Sequence, residues 1–292
     1  MAVTPDNQTP DLPAIAVERP DRQTIPFVFA SPHSGRAYPA EFLAASRLDL
    51  LTLRRTEDSF VDEIFRGAPK MGSFLLKALF ARSYCDPNRE AYELDPVMFE
   101  DPLPAFANTS SPRVKNGLGL IARYAATGDE IYSRKLRFHE AQARVEKCWR
   151  PYHRALADLI GETKQRFGAA VVIDCHSMPS IGLPYDQDHG RSRADIVLGD
   201  CHGKACSPVL SELVETVFRE MGLRVVRNHP YAGGHTTTFY GRPNDGVHAL
   251  QIEINRALYM NENRMERKSS LRKLSRQVSD AIVRFSTFNP AA

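Results

Sequence analysis

Ala169-Ala170-Val171-Val172-Ile173-Asp174-Cys175-His176-Ser177 is an apolar run that turns polar at its end. Such a run suits a buried strand. Five other segments read as strands: Ile25–Ala30, Ser73–Phe80, Asp195–Leu198, Leu223–Val226 and Ala249–Ile254. The first breaks into Ser31-Pro32-His33-Ser34-Gly35-Arg36, and the second runs into the polar loop Arg82–Arg89. Helical patterns lie between them. One covers Ser59–Gly67, ended by Gly67 and Pro69, and another runs from Asp129 to Phe167 with Pro151 dividing it. A third is capped by Ser207, has Pro208 in its first turn and buries Leu210, Leu213, Val214, Val217, Phe218 and Met221 before Gly222. The last turns Leu271, Leu274, Val278, Ile282 and Phe285 inward. Strands alternating with helices predict an α/β fold, a mostly parallel mixed sheet with helices on both faces. In such sheets ligands sit beyond the carboxyl ends of the strands.

The organisation predicted is a flexible or draped leader over residues 1–22, rich in Pro and polar groups, and a single domain over 23–292. Residues 93–120 read as a long excursion, which in a compact domain is often functional. A net charge of +3 with no basic block interleaved with aromatics gives no reason to expect nucleic acid. Arg264–Arg276 reads as a solvated helix face. No apolar stretch reaches the ~18 residues needed to span a bilayer, so no membrane partner is expected. Five cysteines in no paired framework, with no signal-peptide pattern, point to a reducing compartment, by default the cytoplasm.

Several strand ends carry residues suited to chemistry. His33 and His176 each follow a buried apolar run, where two histidines in equivalent positions suggest a shared metal. Asp174 is placed to support one of them. A catalytic zinc site needs a third ligand, and Thr56-Glu57-Asp58-Ser59 offers two carboxylates, although Asp58 is also a good helix N-cap. Glu253 interrupts an apolar strand and faces the same way as Gln251. On an outer strand that is a solvent face; on a central one a buried carboxylate needs a purpose, such as general base. Arg82, Asn88 and Arg89 flank Cys85-Asp86-Pro87, and arginine forks bind carboxylates bidentately, though loop arginines can equally be solvated. Tyr231-Ala232-Gly233-Gly234-His235-Thr236-Thr237 is a Gly-rich turn that either lets backbone approach a ligand or is merely flexible.

Pro32-His33-Ser34-Gly35, Thr56-Glu57-Asp58 with Val61-Asp62, Arg82 through Asp86-Pro87-Asn88-Arg89, Asp174-Cys175-His176-Ser177, and Gln251-Ile252-Glu253-Ile254 with Tyr259-Met260 stand in a telling order. Over roughly residues 25–285 that order resembles the N-formylglutamate amidohydrolase family, itself similar to zinc carboxypeptidases and aspartoacylase with a phosphorylase/hydrolase-like sheet. The resemblance implies hydrolysis of a small N-acyl acidic amino acid, most directly N-formyl-L-glutamate in histidine degradation. It implies Zn²⁺, or another divalent metal, held by His33 and His176, with Glu253 as general base and Arg82 polarising the scissile carbonyl. Asn88 and Arg89 would hold the α-carboxylate, and a further contact near His235 the side-chain carboxylate. Where carboxypeptidases keep a zinc-binding glutamate, three residues after the first histidine, this chain has Arg36. The third ligand must come from elsewhere, and Asp58 is preferred to Glu57. Two other readings stand beside this one: a thiol amidase using Cys175, and a non-catalytic binding protein for an acidic ligand.

Overall fold

In a computed structural model, which describes residues 13–184, 186 and 188–290, one seven-stranded sheet organises the chain. Its strands are β1 (Ile15–Glu18), β2 (Phe27–Ser31), β3 (Phe74–Ala78), β4 (Ala170–Met178), β5 (Ile196–Gly199), β6 (Val225–Arg227) and β7 (Val247–Asn255). Their spatial order is β1-β3-β2-β4-β7-β5-β6. β3, β2, β4 and β7 run parallel, β1 is antiparallel at one edge, and β5 and β6 run against β7 at the other. The sheet is therefore mixed and mostly parallel, as the pattern predicted.

Two apolar clusters sandwich it, and strand alternation decides which side chain enters which. Phe27, Phe29, Val171, Ile173, Leu250 and Ile252 face one side, under helices Pro208–Glu220 and Leu271–Phe285. Val28, Ala30, Ala170, Val172 and Ala249 face the other, under helix Arg150–Phe167. Each Phe or Leu buried fully in these layers contributes about 2 kcal/mol.

Four boundaries differ from the sequence reading. β1 lies inside the expected leader, where Ile15–Glu18 pairs with β3; residues 1–12 fall outside the described residues. β4 outruns its apolar stretch because its polar end is still paired, Asp174 with Gln251 and His176 with Glu253. The helix expected over Ser59–Gly67 is one turn, Val61–Ile64, preceded by Phe60 in the left-handed region at φ 68°. The helix expected from Asp129 starts at Phe138, and the residues before it make isolated bridges instead. From Val145 to Trp149 it passes through a π turn, after which Pro151 occupies the first turn of Arg150–Phe167.

Candidate active site

The carboxyl ends of β2, β4 and β7 converge on a cavity of about 420 Å³. Strand parity explains what reaches it. On β4 the face carrying Ala170 and Val172 continues to Asp174 and His176; on β7 the face carrying Ala249 continues to Gln251 and Glu253. β7 lies between β4 and β5. Glu253 therefore sits on a central strand, 7% exposed, and the solvent-face alternative does not apply.

His33, Asp58 and His176 form a buried group able to hold a metal ion, their ligand atoms all within 4.8 Å of one another. The amide of Asp58 donates to the His33 carbonyl, so this loop is tied to the end of β2 rather than opening a helix. Asp58 Oδ2 lies 3.0 Å from His176 Nδ1 and 3.3 Å from His33 Nδ1. Each imidazole has its other nitrogen on a second acid. His33 Nε2 is 2.6 Å from Asp86 Oδ1, and His176 Nε2 is 2.9 Å from Asp174 Oδ2. Carboxylates behind the imidazoles leave both Nδ1 atoms for a shared ion, the usual support of metal-bound histidines. Ligands ~2.0–2.1 Å from a tetrahedral zinc stand roughly 3.3 Å apart, close to these separations.

Protons alone satisfy the same contacts poorly. Hydrogen bonds from all four ring nitrogens to acids would need two imidazolium rings with centroids 4.7 Å apart, both nearly buried. Like charges so close in a low dielectric repel strongly. One divalent cation replaces both protons, so the donor set fits a metal. In its absence the acids prevail: burial opposes charge on His176, but Asp174 and Asp58 hold its pKa well above the ordinary value. Burial likewise opposes ionisation of Asp58 and Asp86. Hydrogen bonds from His176 and His33 keep Asp58 well below the usual carboxylate range, while Arg89, His33 and Arg82 do so for Asp86.

Glu57 is turned away from this group: it accepts hydrogen bonds from Tyr38 (2.8 Å), Arg54 (3.2 Å) and Ser59. Arg36 pairs with Asp62 and Glu63 and lies over the Phe60 ring. Glu253 Oε1 accepts from Gln251 Nε2 at 2.8 Å, while its buried Oε2 has no partner among the described residues. Burial pushes this carboxyl up to about 7, with His176 opposing and Asp58 adding to the shift.

Arg82 lines the cavity, 3.0 Å from Asp86 Oδ2 and 3.6 Å from Asp58 Oδ1. Arg89 donates to the carbonyls of Leu118 and Asn88 and lies 3.6 Å from Asp86. Asn88 is engaged internally: Nδ2 reaches Asp174 and His176, and Oδ1 accepts the Thr236 amide at 2.8 Å. A side chain at Gly234 would overlap Asn88, which explains glycine in that turn. His235 stacks instead among Trp149, His153 and Phe239; the turn lends Tyr231, Ala232, Gly233 and Gly234 to the cavity wall. Cys175 points to the opposite face, in the apolar cluster, with burial raising its thiol pKa well above normal.

Sequence reasoning missed several members. Arg256 follows β7 directly and donates to Asp58 Oδ1 (3.0 Å) and Ser177 Oγ (3.2 Å); the strand-end rule that found His33 applies to it equally. Trp149 and His153 hold the loop from behind, at 2.9 Å from the Arg89 carbonyl and 2.8 Å from that of Pro87. The π turn brings Trp149 there, and such turns often mark functional sites. Arg113 enters from the excursion over 93–120.

The family model for N-formylglutamate amidohydrolase matches residues 25–260. The chain belongs to that family. It is a hydrolase acting on an amide bond. N-formylglutamate deformylases of Pseudomonas putida and Pseudomonas aeruginosa are 28% and 29% identical to it, each over 82% of this chain and 83% and 84% of their own. The crystal structure of N-formylglutamate amidohydrolase from Ralstonia eutropha JMP134 is 37% identical with a TM-score of 0.87, covering 95% of this chain and 99% of that one. The gene product Atu2144 from Agrobacterium tumefaciens, 19% identical with a TM-score of 0.68 over 94% and 95% of the two chains, shares the fold. No helix among the described residues is long and apolar enough to cross a membrane.

Proposed function

We propose that this enzyme hydrolyses N-formyl-L-glutamate to formate and L-glutamate, with a divalent metal, zinc first among candidates, held by His33, Asp58 and His176. The observation that carries it is the unpartnered, buried Oε2 of Glu253 at the carboxyl end of β7, level with His176 in the adjacent strand. Zinc bound there supplies Lewis-acid chemistry, lowering the pKa of water and polarising a carbonyl oxygen.

The chain's own groups divide the remaining work. Glu253, with a pKa near 7, is poised to take a proton from water and return it to the leaving nitrogen. The water oxygen adds to the formyl carbon, the C–N bond breaks, and the returned proton completes the amine of glutamate. Arg82, kept cationic by Asp86 and Asp58, is placed to stabilise negative charge on the former carbonyl oxygen. Arg89 serves the α-carboxylate, while Asn88, already bonded to Asp174 and His176, orients the site from within. Asp86 and Asp174 fix the two imidazoles.

Release of the free amino acid should be measured from N-formyl-, N-acetyl- and N-succinyl-glutamate and their aspartate analogues, before and after chelation and with metal restored. The reading expects preference for the formyl group and glutamate, loss on chelation and recovery with zinc. Turnover of none of these substrates by metal-replete protein would sink it, and full activity in metal-free protein would remove the metal.

A further inference from the structure

The cavity arginines differ in how far the chain already neutralises them. Arg82 faces Asp86 and Asp58, Arg89 faces Asp86, and Arg256 faces Asp58. Arg113 also lines the cavity, yet among the described residues no carboxylate lies within 4.0 Å of it. Among the described residues its guanidinium makes one hydrogen bond, a long one of 3.4 Å to the Gly233 carbonyl. Glu90 and Glu93, which share its surroundings near His235, are held by other groups: Glu90 by Asn108, Glu93 by Ser111 and the Glu90 amide. Ser111 also caps the short helix Pro112–Lys115 that carries Arg113, so the guanidinium hangs on an anchored turn. Among the described residues Arg55 is the other cavity arginine outside an ion pair; its Nε is buried without a partner, but its carbonyl accepts from Arg256, the partner of Asp58, which sets it at the metal group and not at the Gly233 wall that Arg113 reaches.

We infer that Arg113 reads the distal, side-chain carboxylate of the substrate, across the cavity wall formed by Gly233 and Gly234, and so sets the preference for an acidic side chain. This rests on the reading above that the substrate is an N-acyl acidic amino acid. N-formylglutamate brings two negative charges, and one falls to Arg89. With Arg82, Arg89 and Arg256 each already shared with Asp58 or Asp86, the second charge falls to Arg113, whose planar guanidinium can grip a carboxylate with two hydrogen bonds.

The test compares wild type with Arg113→Gln and Arg113→Lys in two ways. In steady-state turnover, Arg113→Gln should lower kcat/KM for N-formylglutamate at least about 30-fold, chiefly through KM. N-formylglutamine, whose side chain is neutral, should change less than threefold. Arg113→Lys should recover part of the loss, which separates lost charge from lost folding. In calorimetric titration with the products, wild type should favour L-glutamate over L-glutamine, and Arg113→Gln should not. Equal losses on both substrates, or a glutamate preference that survives in Arg113→Gln, overturns the assignment. A wild type that turns over neither compound refutes the hydrolytic reading instead; the product titration still decides the role of Arg113.

Discussion

Glu253→Gln separates the catalytic demand on this position from its structural cost, because the two move in opposite directions. Burial raises the carboxyl from an ordinary 4.5 to about 7. A carboxyl whose folded pKa is raised favours folding only while protonated, so its contribution is fully present below about 4.5 and is lost as pH rises through 7. Above neutrality the metal-free protein therefore carries a buried charge costing of the order of 3 kcal/mol. Glutamine removes that charge, keeps the shape, and can still accept from Gln251 Nε2 through its amide oxygen. The metal-free variant should melt roughly 5 °C higher at pH 8, with the gain vanishing near pH 4. Its kcat with metal restored should fall by about 10²–10⁴, the usual worth of a positioned general base. Melting curves at both pH values, metal content by elemental analysis and formate release on the same preparations check each part. Near-wild-type turnover with metal retained would falsify the role of Glu253, and a variant less stable at pH 8 would refute the account of its burial.

Four further outcomes follow from the same geometry. Asp174→Asn leaves His176 Nε2 without its charged partner at 2.9 Å and should weaken zinc binding about 10- to 100-fold in competition with a chromophoric chelator; unchanged affinity would detach Asp174 from the site. Trp149→Phe removes the indole donor to the Arg89 carbonyl, a bond worth about 1 kcal/mol net, while keeping an aromatic ring against His153, so kcat/KM should drop about fivefold. Activity should fall on the acid side as Glu253 takes up its proton, with a midpoint at or below about 7 because a bound cation favours the carboxylate; a midpoint above pH 8 contradicts this. Cys175→Ala, made in the apolar layer away from the cavity, should keep kcat within about twofold while costing about 1 kcal/mol of stability; loss of turnover would revive the thiol reading.

How far the sequence reaches depends on what places each residue. His33, His176 and Glu253 were legible because each breaks an apolar run, and a broken run is a local signal. Whether Glu253 met solvent or a cavity was not legible, since pairing with β4 and β5 depends on the whole chain. Asp58 over Glu57 was a choice between neighbours; in the structure Tyr38, Arg54 and Ser59 occupy Glu57, and Tyr38 comes from a distant part of the chain. β1 was hidden because four residues amid prolines and acids lack a period long enough to read, and an edge strand needs only one partner. Arg256 carried the same strand-end signal as His33, whereas Arg113 and Trp149 owe their places to an excursion and a π turn, and nothing in their spacing marks them as converging.

The face of the sheet that holds the site is the face that holds the helix Arg150–Phe167. At the level where Val172 pairs with Ala249, the side chains are small and apolar and the helix packs over them. Two residues further on, at Asp174 and Gln251, and four on, at His176 and Glu253, the same face turns polar. There the helix has reached its first turn, whose His153, with Trp149 just before it, points onward to the Pro87–Arg89 carbonyls rather than down onto the sheet. Core and site are thus consecutive levels of one strand pair, divided where the helix stops. This explains why buried acids and histidines are tolerated directly above a fully apolar layer. His33, Asp58 and His176 form the metal group, Asp86 has partners on both oxygens, and Asp174 has two partners on one oxygen and, among the described residues, none on the other. Glu253, which lines the cavity, likewise keeps one buried oxygen without a partner among the described residues, as the proposed proton acceptor requires.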